Sequence, residues 1–401
     1  MHLRILHLSP YYAPAYAFGG VVRALEGLAK AQVSAGLSVD ILTSDAESHA
    51  IHRRLKARET RHGVDIYRMK NRWPALRQWL NLSTPQDAGE TYDRLIEQAD
   101  VIHCHEFRTM ENWLLWRRLA AKKMRKPLLL SPHGTLTHRT GRRWAKRGWD
   151  AALGSRLAPL FEQVICLTAA EQEEVQRRWR AMGRAAVATR IIPNGIQPDL
   201  FRTSDRAQLR QQFRERLRLQ DEPILLYLGR LHRRKGVALL AEAIHKLEEP
   251  EFHLLIAGSD DGEAQKIRKF SDERITLLGH LNGEDRLAAW AAADGFALPA
   301  VGEGMSMAML EALAAGLPII CTPECHMPEV AECGAGWLVE PEVCAIQKAV
   351  VDWLAARERW PQMAVAGRQL VRERFSWPQI VAQTTTVYRD WIARINSAAR
   401  S

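Results

Sequence analysis

The sequence lacks long apolar runs and has no cysteine framework. No run approaches the ~18 apolar residues of a transmembrane helix, so a membrane span is not expected. The six cysteines, at positions 104, 166, 321, 325, 333 and 344, form no paired C-x-x-C pattern. This excludes a disulfide scaffold and favours reduced thiols. The opening residues MHLRILHLSPYY have too short an apolar core for a signal peptide. These absences together predict a cytoplasmic protein.

Standard metal-ligand spacings and nucleic-acid motifs are also missing. Cys321, Cys325 and His326 lie close together in the sequence, but their spacing is not a standard zinc pattern. We therefore expect no metal, no cofactor and no nucleic-acid partner.

Acidic residues are fewer than basic ones, which indicates an anionic partner. The chain has 46 Asp and Glu against 56 Lys and Arg, a formal net charge of +10. Basic clusters lie at 52–72, 117–126 and 138–149, and the third also contains Trp144 and Trp149. Its basic members are Arg139, Arg142, Arg143, Lys146 and Arg147. Such a mixture suits an anionic membrane surface, and a solvated helical face is the alternative. On a helix, Arg139, Arg143 and Arg147 would share one face.

Apolar runs alternate with helical segments in both halves of the 401-residue chain. The predicted strands are RILHLS, SVDILTS, VIHCHE, PLLLSPHG and QVICLTA, then PILLYLGR, FHLLIAGS, ITLLGHL, GFALPA and LPIICT. This alternation predicts an α/β protein with parallel sheets covered on both faces. IIPNGI ends the first domain. We predict an N-terminal domain of 1–196 that also carries a last helix at about 378–401, and a C-terminal domain of 197–377.

The segment 299–316, PAVGEGMSMAMLEALAAG, holds two acids in an apolar context. Glu303 lies between glycines in a loop, and Glu311 lies on a helix that is apolar all round and is therefore buried. A buried carboxylate is costly unless it is paired. Free N–H groups at the start of this helix would suit a phosphate. Glu311 could grip a diol, or it could be a structural ion-pair partner.

The segment 224–236, ILLYLGRLHRRKG, is a buried strand followed by a basic loop. Cations at the carboxyl end of a parallel strand stand where open α/β sheets bind ligands. Arg230 could hold phosphate oxygens bidentately, and Lys235 could act as a point charge. A solvated basic loop is the alternative for this segment taken alone.

Together these segments resemble the family 4 glycosyltransferases. The resemblance covers nearly the whole chain and includes SPHGTL at 131–136, IIPNGI at 191–196 and the glycine pair Gly19-Gly20. It implies the GT-B fold, in which two Rossmann-like domains face an interdomain cleft. Where the family usually has an aromatic residue after its first motif Glu-Gly, this chain has Met305 and then Ser306.

The resemblance also implies roles for the site residues. Arg230 and Lys235 would neutralise the donor diphosphate, and Glu311 would bind the ribose hydroxyls. Glu303 would bind the donor sugar, with the backbone of Gly304, Met305 and Ser306 meeting phosphate. His133 would point at the donor sugar near the reacting carbon, and Gly19 and Gly20 would let the backbone approach the donor. A capped loop histidine and ordinary helix-start chemistry are the local alternatives for these last residues.

His103, His105 and Glu106, in the motif HCHE, lie at another predicted strand end. They could line an acceptor pocket or could simply finish the strand. The resemblance as a whole implies a retaining, metal-independent glycosyltransferase of the hexosyltransferase type. It would move a sugar from a nucleotide-sugar donor to a glycan or lipid-linked acceptor in cell-surface polysaccharide or glycolipid synthesis, at the inner face of the membrane. The alternatives are a nucleotide-sugar epimerase and a non-catalytic membrane-associated sugar-binding subunit.

Overall fold

The computed structural model describes most of the chain as two compact units. The described residues are 3–48, 54–73, 75–76, 82–86, 89–138, 141–199, 205–248, 251–270 and 272–398. Unit 1 comprises Met1–Gly195 and Trp377–Ser401, and unit 2 comprises Ile196–Ser376. The boundaries expected from the sequence, after 196 and after 377, each lie one residue further along the chain.

Unit 1 contains an eight-stranded sheet. Its strands are β1 Arg4–Leu8, β2 Ser38–Ser44, β3 Arg58–Arg61, β4 Val64–Met69, β5 Val101–His105, β6 Leu128–Ser131, β7 Gln163–Cys166 and β8 Ala188–Ile191. They lie in the order β3-β4-β2-β1-β5-β6-β7-β8. All neighbours pair in parallel except β3 and β4, which are antiparallel.

Unit 2 contains a six-stranded, wholly parallel sheet. Its strands are β9 Ile224–Leu228, β10 His253–Ala257, β11 Ile275–Gly279, β12 Gly295–Leu298, β13 Ile319–Cys321 and β14 Gly336–Leu338. They lie in the order β11-β10-β9-β12-β13-β14. The two units together confirm an α/β fold with two parallel-sheet domains.

Helices connect the strands of both units. Numbered along the chain, they are α1 Gly20–Ser34, α2 Glu90–Gln98, α3 Met110–Lys122, α4 Arg143–Trp149, α5 Ser155–Leu157, α6 Ala169–Ala181, α7 Asp205–Leu217, α8 Val237–His245, α9 Ala264–Ile267, α10 Gly283–Ala292, α11 Met307–Ala315, α12 Glu329–Glu332, α13 Val343–Ala355, α14 Trp360–Leu370 and α15 Trp377–Ala398. Among the residues described, no helix combines the length and the apolar character needed to cross a lipid bilayer.

The sheet of unit 1 is covered on both faces, and its central strands β5 and β6 are buried at every position. Successive side chains of a strand point to opposite faces. Leu6 accordingly packs in a cluster with Phe107 and Trp179, whereas its neighbour Ile5 packs in another cluster with Tyr388. Tyr388 belongs to α15, so the last helix covers one face of this sheet.

The first residue of α15 seats that helix on unit 1. The Trp377 indole lies so close to Gly27 and Gly195 that a Cβ at either glycine would collide with it. Pro378 falls in the first helical turn, where a proline is well tolerated. The Ser376 hydroxyl, just before the helix, donates to the carbonyl of Arg372, 3.1 Å away.

Four strands are not among those expected from the sequence. They are β3, β4, β8 and β14. The strand β4 lies inside the basic cluster at 52–72, and the charge of that cluster is not all available to a partner. Arg68 of β4 is 6% exposed and ion-pairs with Glu59 of β3, 2.6 Å away, because a buried guanidinium requires an acceptor.

Each sheet reverses its strand order at one point. In unit 2 the reversal lies between β9 and β12, and in unit 1 it lies between β1 and β5. Open parallel sheets bind ligands outside the carboxyl ends of the strands at such a reversal. The loops that follow these four strands therefore define where a site is to be sought.

Candidate active site

The loop after β9 carries Arg230 in an accessible position. Its backbone carbonyl accepts a hydrogen bond from the Tyr227 hydroxyl at 2.8 Å. The guanidinium pairs with the Asp261 carboxylate at 3.0 Å, and the two side chains are 53% and 43% exposed. Exposed ion pairs contribute little stability. An incoming anion can therefore replace Asp261 at small cost.

Lys235 and Glu303 form the central ion pair of the unit 2 site. Lys235 ends the short helical turn Arg233–Lys235, and its ammonium contacts the Glu303 carboxylate. Burial by itself would raise the pKa of Glu303, but the nearby charges of Lys235 and Arg234 and a hydrogen bond from Gly304 N–H outweigh it and lower that pKa. Glu303 is therefore an ionised acceptor in a mostly enclosed setting.

The loop after β9 and the loop after β12 are hydrogen-bonded to each other. The Arg234 side chain donates from Nε to the Gly302 carbonyl at 2.8 Å, and Val301 N–H donates to the Arg234 carbonyl at 2.8 Å. Gly236 has a φ of 68°, and a Cβ there would collide with the Pro299 carbonyl. The two motifs singled out in the sequence thus form one structure at the reversal of the sheet.

The N-terminus of α11 adjoins Glu303. Ser306, which precedes the helix, is 4% exposed, and its side chain makes no capping hydrogen bond. The first N–H groups of a helix have no intrahelical acceptors, and they carry a partial positive charge. Gly304–Ser306 therefore leads into a helix end suited to a phosphate, as the sequence predicts.

Glu311 is buried on α11 and is paired with a residue that the sequence did not indicate. It is 8% exposed and contacts the guanidinium of Arg286, on α10. The sequence shows that a buried carboxylate needs a cation, but it does not show which one. In the sequence, Arg286 lies in EDRLAAW, and nothing there distinguishes it from the other arginines until the packing of α10 is known.

In unit 1 the loop after β1 ends at the glycine pair. Gly19 has a φ of 107° and directly precedes α1, which begins at Gly20. A Cβ on Gly19 would meet no atom within 4 Å. The glycine is therefore required by its backbone angle and leaves open space beside it, which agrees with a close approach by a ligand.

His133 follows β6 in a left-handed backbone conformation. Its φ is 54°, which is uncommon for a residue other than glycine and often marks functional sites. Burial lowers its pKa to about 4, so the ring is neutral at pH 7. Its Nε2 lies 2.8 Å from Nδ1 of His105. His133 also lines a cavity of unit 1 with Ser131 and Trp377.

The HCHE motif combines two buried histidines, His103 and His105, with a half-buried glutamate, Glu106. His103 and His105 are each 1% exposed and are hydrogen-bonded within unit 1. A direct contact with an acceptor would therefore require local opening, and their acceptor role remains a prediction. Glu106 has a φ of 63°, and burial together with the charge of Glu111 raises its pKa to about 7. A carboxyl group with such a pKa can exchange protons near neutral pH.

The basic segment at 139–147 is only partly helical. Arg139 lies outside the described residues, and α4 begins at Arg143 because Arg142 adopts a left-handed conformation with a φ of 53°. Arg143 and Arg147, four residues apart on α4, share one helical face, and the third arginine of the expected alignment lies outside the described residues. Trp144 is 74% exposed, while Lys146 donates to the Thr137 carbonyl at 2.8 Å.

Two family models match the chain. The model described as Glycosyltransferase Family 4 matches residues 18–200, and that described as Glycosyl transferases group 1 matches residues 222–356. An uncharacterized glycosyltransferase of Methanocaldococcus jannaschii is 26% identical, over 94% of this chain and 95% of its own length. A GDP-mannose-dependent alpha-(1-6)-phosphatidylinositol monomannoside mannosyltransferase of Mycolicibacterium smegmatis is 33% identical, over 49% of this chain and 55% of its own length.

Solved structures share the architecture. Sucrose-phosphate synthase from Thermosynechococcus elongatus has a TM-score of 0.75 at 22% identity, covering 98% of this chain and 100% of that one. Anabaena HepE in complex with UDP and glucose has a TM-score of 0.71 at 19% identity, covering 97% of this chain and 100% of that one. These likenesses show a common fold.

Proposed function

Because the chain belongs to glycosyltransferase family 4 and has the GT-B fold, we propose that it is a retaining hexosyltransferase that uses a nucleotide-sugar donor. Its acceptor is a glycan or a lipid-linked sugar in cell-surface polysaccharide or glycolipid synthesis. The observation that carries this proposal is the meeting of Arg230, Lys235 and Glu303 at the carboxyl ends of β9 and β12, where the sheet reverses. Family membership favours transfer over the epimerase and over a non-catalytic subunit.

Unit 2 would bind the donor nucleotide. Arg230 exchanges Asp261 for the diphosphate, Lys235 adds a second charge, and the N-terminus of α11 supplies N–H donors. These groups stabilise the negative charge that develops on the leaving diphosphate as the glycosidic bond breaks. Positive side chains thereby take the place of a divalent cation. Glu311 would accept hydrogen bonds from the ribose hydroxyls.

The transferred sugar would be held by hydrogen bonds rather than by a covalent link. Glu303 is kept ionised by Lys235, so it can accept from sugar hydroxyls. His133 contributes a neutral ring near the reacting carbon. Departure and attack would occur on the same face of the sugar, with the leaving phosphate taking the acceptor's proton. Gly19 and Gly20 allow the donor and acceptor to approach the backbone.

Unit 1 would bind the acceptor at an anionic membrane surface. The exposed Trp144, together with Arg143 and Arg147 on α4, supports a peripheral location on the cytoplasmic side. Glu106, which follows β5 at the reversal of the unit 1 sheet, would contact the acceptor through hydrogen bonds, while the acceptor's proton goes to the leaving phosphate.

Isothermal titration against nucleotides and nucleotide sugars tests the assignment, and GDP-mannose is the first donor to try because matched relatives depend on it. Product analysis with the tightest-binding donor then separates transfer from epimerisation. We expect a transferred sugar with retained anomeric configuration. Free epimerised nucleotide sugar, or binding without turnover on any acceptor, would contradict the proposal.

A further inference from the structure

A line of four buried or half-buried side chains runs through unit 1, and we call it the histidine relay. It consists of Gln32, His7, His105 and His133. Gln32 Oε1 lies 2.8 Å from His7 Nε2, His7 Nδ1 lies 2.9 Å from His105 Nε2, and His105 Nδ1 lies 2.8 Å from His133 Nε2. The relay exists because β1 pairs with β5 in the register His7↔His103, and His105 lies two residues further on the same face.

The protons of the relay are fixed by its first member. A neutral imidazole has one N–H and one lone pair, and an amide oxygen only accepts. His7 therefore donates from Nε2 to Gln32, which leaves His7 Nδ1 to accept from His105 Nε2. By the same rule, His105 Nδ1 accepts from His133 Nε2. His133 Nδ1 is then a lone pair, and this buried atom has no hydrogen-bond partner within the described part of the chain.

A second branch from the same amide agrees with this assignment. Gln32 Nε2 donates to the Tyr388 hydroxyl at 3.3 Å, and that hydroxyl donates to His103 Nδ1 at 2.7 Å. His103 Nε2 then donates to the Ser131 hydroxyl at 2.8 Å. Turning the amide over would reverse every bond in both branches. The orientation of one glutamine thus sets the tautomers of all four histidines.

The ring nitrogens of His7, His103 and His105 also lie close enough to one another to suggest a metal site, within 4.8 Å. Each of these six nitrogens already has a partner at 2.7–2.9 Å. A metal ion needs free lone pairs, so it would have to break these bonds. A hydrogen-bonded relay is the better account of the cluster.

We propose that Gln32 is a positioning residue that, through His7 and His105, holds His133 in the tautomer whose Nδ1 accepts a hydrogen bond from a hydroxyl of the donor sugar. This inference rests on the proposed function, in which His133 contacts the transferred sugar. A neutral acceptor pairs with a hydroxyl and repels a phosphate oxygen, so the relay would distinguish the sugar from the diphosphate. Gln32 itself is fully buried and touches no substrate in this scheme.

Nuclear magnetic resonance of the full chain labelled with 15N-histidine tests the tautomer directly. Long-range proton–nitrogen correlations show which ring nitrogen carries the proton, and a His133→Gln variant identifies the His133 signals. We expect His133 to carry its proton on Nε2 at neutral pH. A proton on Nδ1, or on both nitrogens, would overturn the relay, as would Zn²⁺ binding that shifts the signals of His7, His103 and His105.

A matched pair of variants tests the role of Gln32. Gln32→Met removes the amide with little change of volume, and Gln163→Met does the same to a buried glutamine of β7 that is outside the relay. Loss of one positioned hydrogen bond should lower kcat roughly two- to tenfold. We expect this loss, and mixed His133 tautomers, in Gln32→Met alone, with affinity for free GDP unchanged in both variants. Equal kcat in the two variants would refute the positioning role.

Titration with a donor separates this inference from the proposed function. GDP-mannose should shift the His133 Nδ1 signal, whereas GDP should not. If neither ligand binds, UDP-glucose and UDP serve as the second pair. Donor binding with an unmoved Nδ1 signal would overturn the relay's contact with the sugar while leaving the transferase assignment intact. If His133 has the expected tautomer but no nucleotide binds, the result would instead count against the proposed donor.

Discussion

Arg230 and Lys235 carry the same charge, but the structure holds them differently. Arg230 is half exposed beside an exposed aspartate, whereas Lys235 compensates the enclosed carboxylate of Glu303. Arg230→Ala should therefore lower transfer at least about tenfold with stability unchanged, since a charge-assisted hydrogen bond is worth roughly 1.5–3 kcal/mol. Lys235→Ala should lower both transfer and stability, because it leaves a buried charge unpaired.

Arg216→Ala is the matched control for these two changes. Arg216 also forms an exposed pair in unit 2, with Asp285 at 2.6 Å, but it lies on α7 away from the loops of the site. Initial rates and thermal unfolding of the three variants provide the measurement. Full turnover in Arg230→Ala and Lys235→Ala would show that neither residue holds the diphosphate.

Replacing Glu303 and replacing Glu311 should change the affinities for free nucleoside diphosphate and for nucleotide sugar differently. A ribose contact is present in every nucleotide, so Glu311→Gln should weaken binding of free nucleoside diphosphate and of nucleotide sugar alike. Glu303→Gln should mainly weaken the intact donor and slow the chemical step. Calorimetric affinities for both ligands in both variants test the division. Equal losses for both ligands in both variants would refute it.

The sequence predicted these two acids but not the partners that hold them. That Glu311 required a cation follows from the cost of burying a carboxylate. That the cation is Arg286 depends on how α10 packs against α11, which no local pattern encodes. His103 and His105 could be singled out because they lie in one short motif. His7 could not, because it joins them only through the strand order, which places β1 beside β5.

At the scale of elements, burial made β9 predictable from the sequence, and exposure concealed β3 and β8. The strand β9 is an unbroken apolar run because both faces of its sheet are covered. β3 and β8 are edge strands with the sequences RETR and ATRI, and exposed polar positions hide their extended structure. The start of α4 at Arg143 was not predicted, because the left-handed conformation of Arg142 depends on its surroundings.

The short helix α4 is the element on which the proposed membrane binding would depend. Arg143 and Arg147 are exposed beside Trp144, and each basic residue near an anionic leaflet contributes about 1 kcal/mol. Neutral replacements should abolish flotation of the protein with anionic vesicles at low salt. The five positions to be replaced together are Arg139, Arg142, Arg143, Lys146 and Arg147. High salt should weaken flotation of the unchanged protein by screening.

A variant in which exposed arginines of α6 are replaced serves as the control for charge alone. Arg177 and Arg180 belong to the same unit and lie on a different helix. Their loss should leave flotation largely unchanged. Flotation that survives replacement of the α4 cluster would end the membrane proposal, and the transferase assignment would then point to a soluble acceptor.

At the scale of the whole molecule, buried titratable groups should shape the pH dependence of unfolding. Burial lowers the pKa of His7 to about 4, below its usual value of about 6.5 in an unfolded chain. Between these values the unfolded state binds more protons, so the stabilisation linked to His7 is lost as the pH falls. Glu106 and Glu111 act oppositely, because burial raises the pKa of each to about 7.

A comparison of wild type with His7→Gln separates these opposing contributions. The destabilisation caused by His7→Gln should be constant above about pH 6.5 and should shrink below it, by up to about 1.4 kcal/mol per pH unit. Urea unfolding at about pH 7, 6 and 5 measures the difference in the free energy of unfolding. A difference that does not change with pH would mean that His7 is not held neutral in the folded protein.

The last helix, α15, has a consequence for synthesis of the protein. It covers an apolar face of the unit 1 sheet, yet it follows the whole of Ile196–Ser376 in the chain. A nascent chain on the ribosome therefore carries that face uncovered until translation reaches Trp377, while every residue of unit 2 has already been made. We expect unit 2 to complete its folding first, which reverses the usual N-terminal-first order. Chaperones that hold exposed apolar surface would be needed most in the interval before α15 emerges.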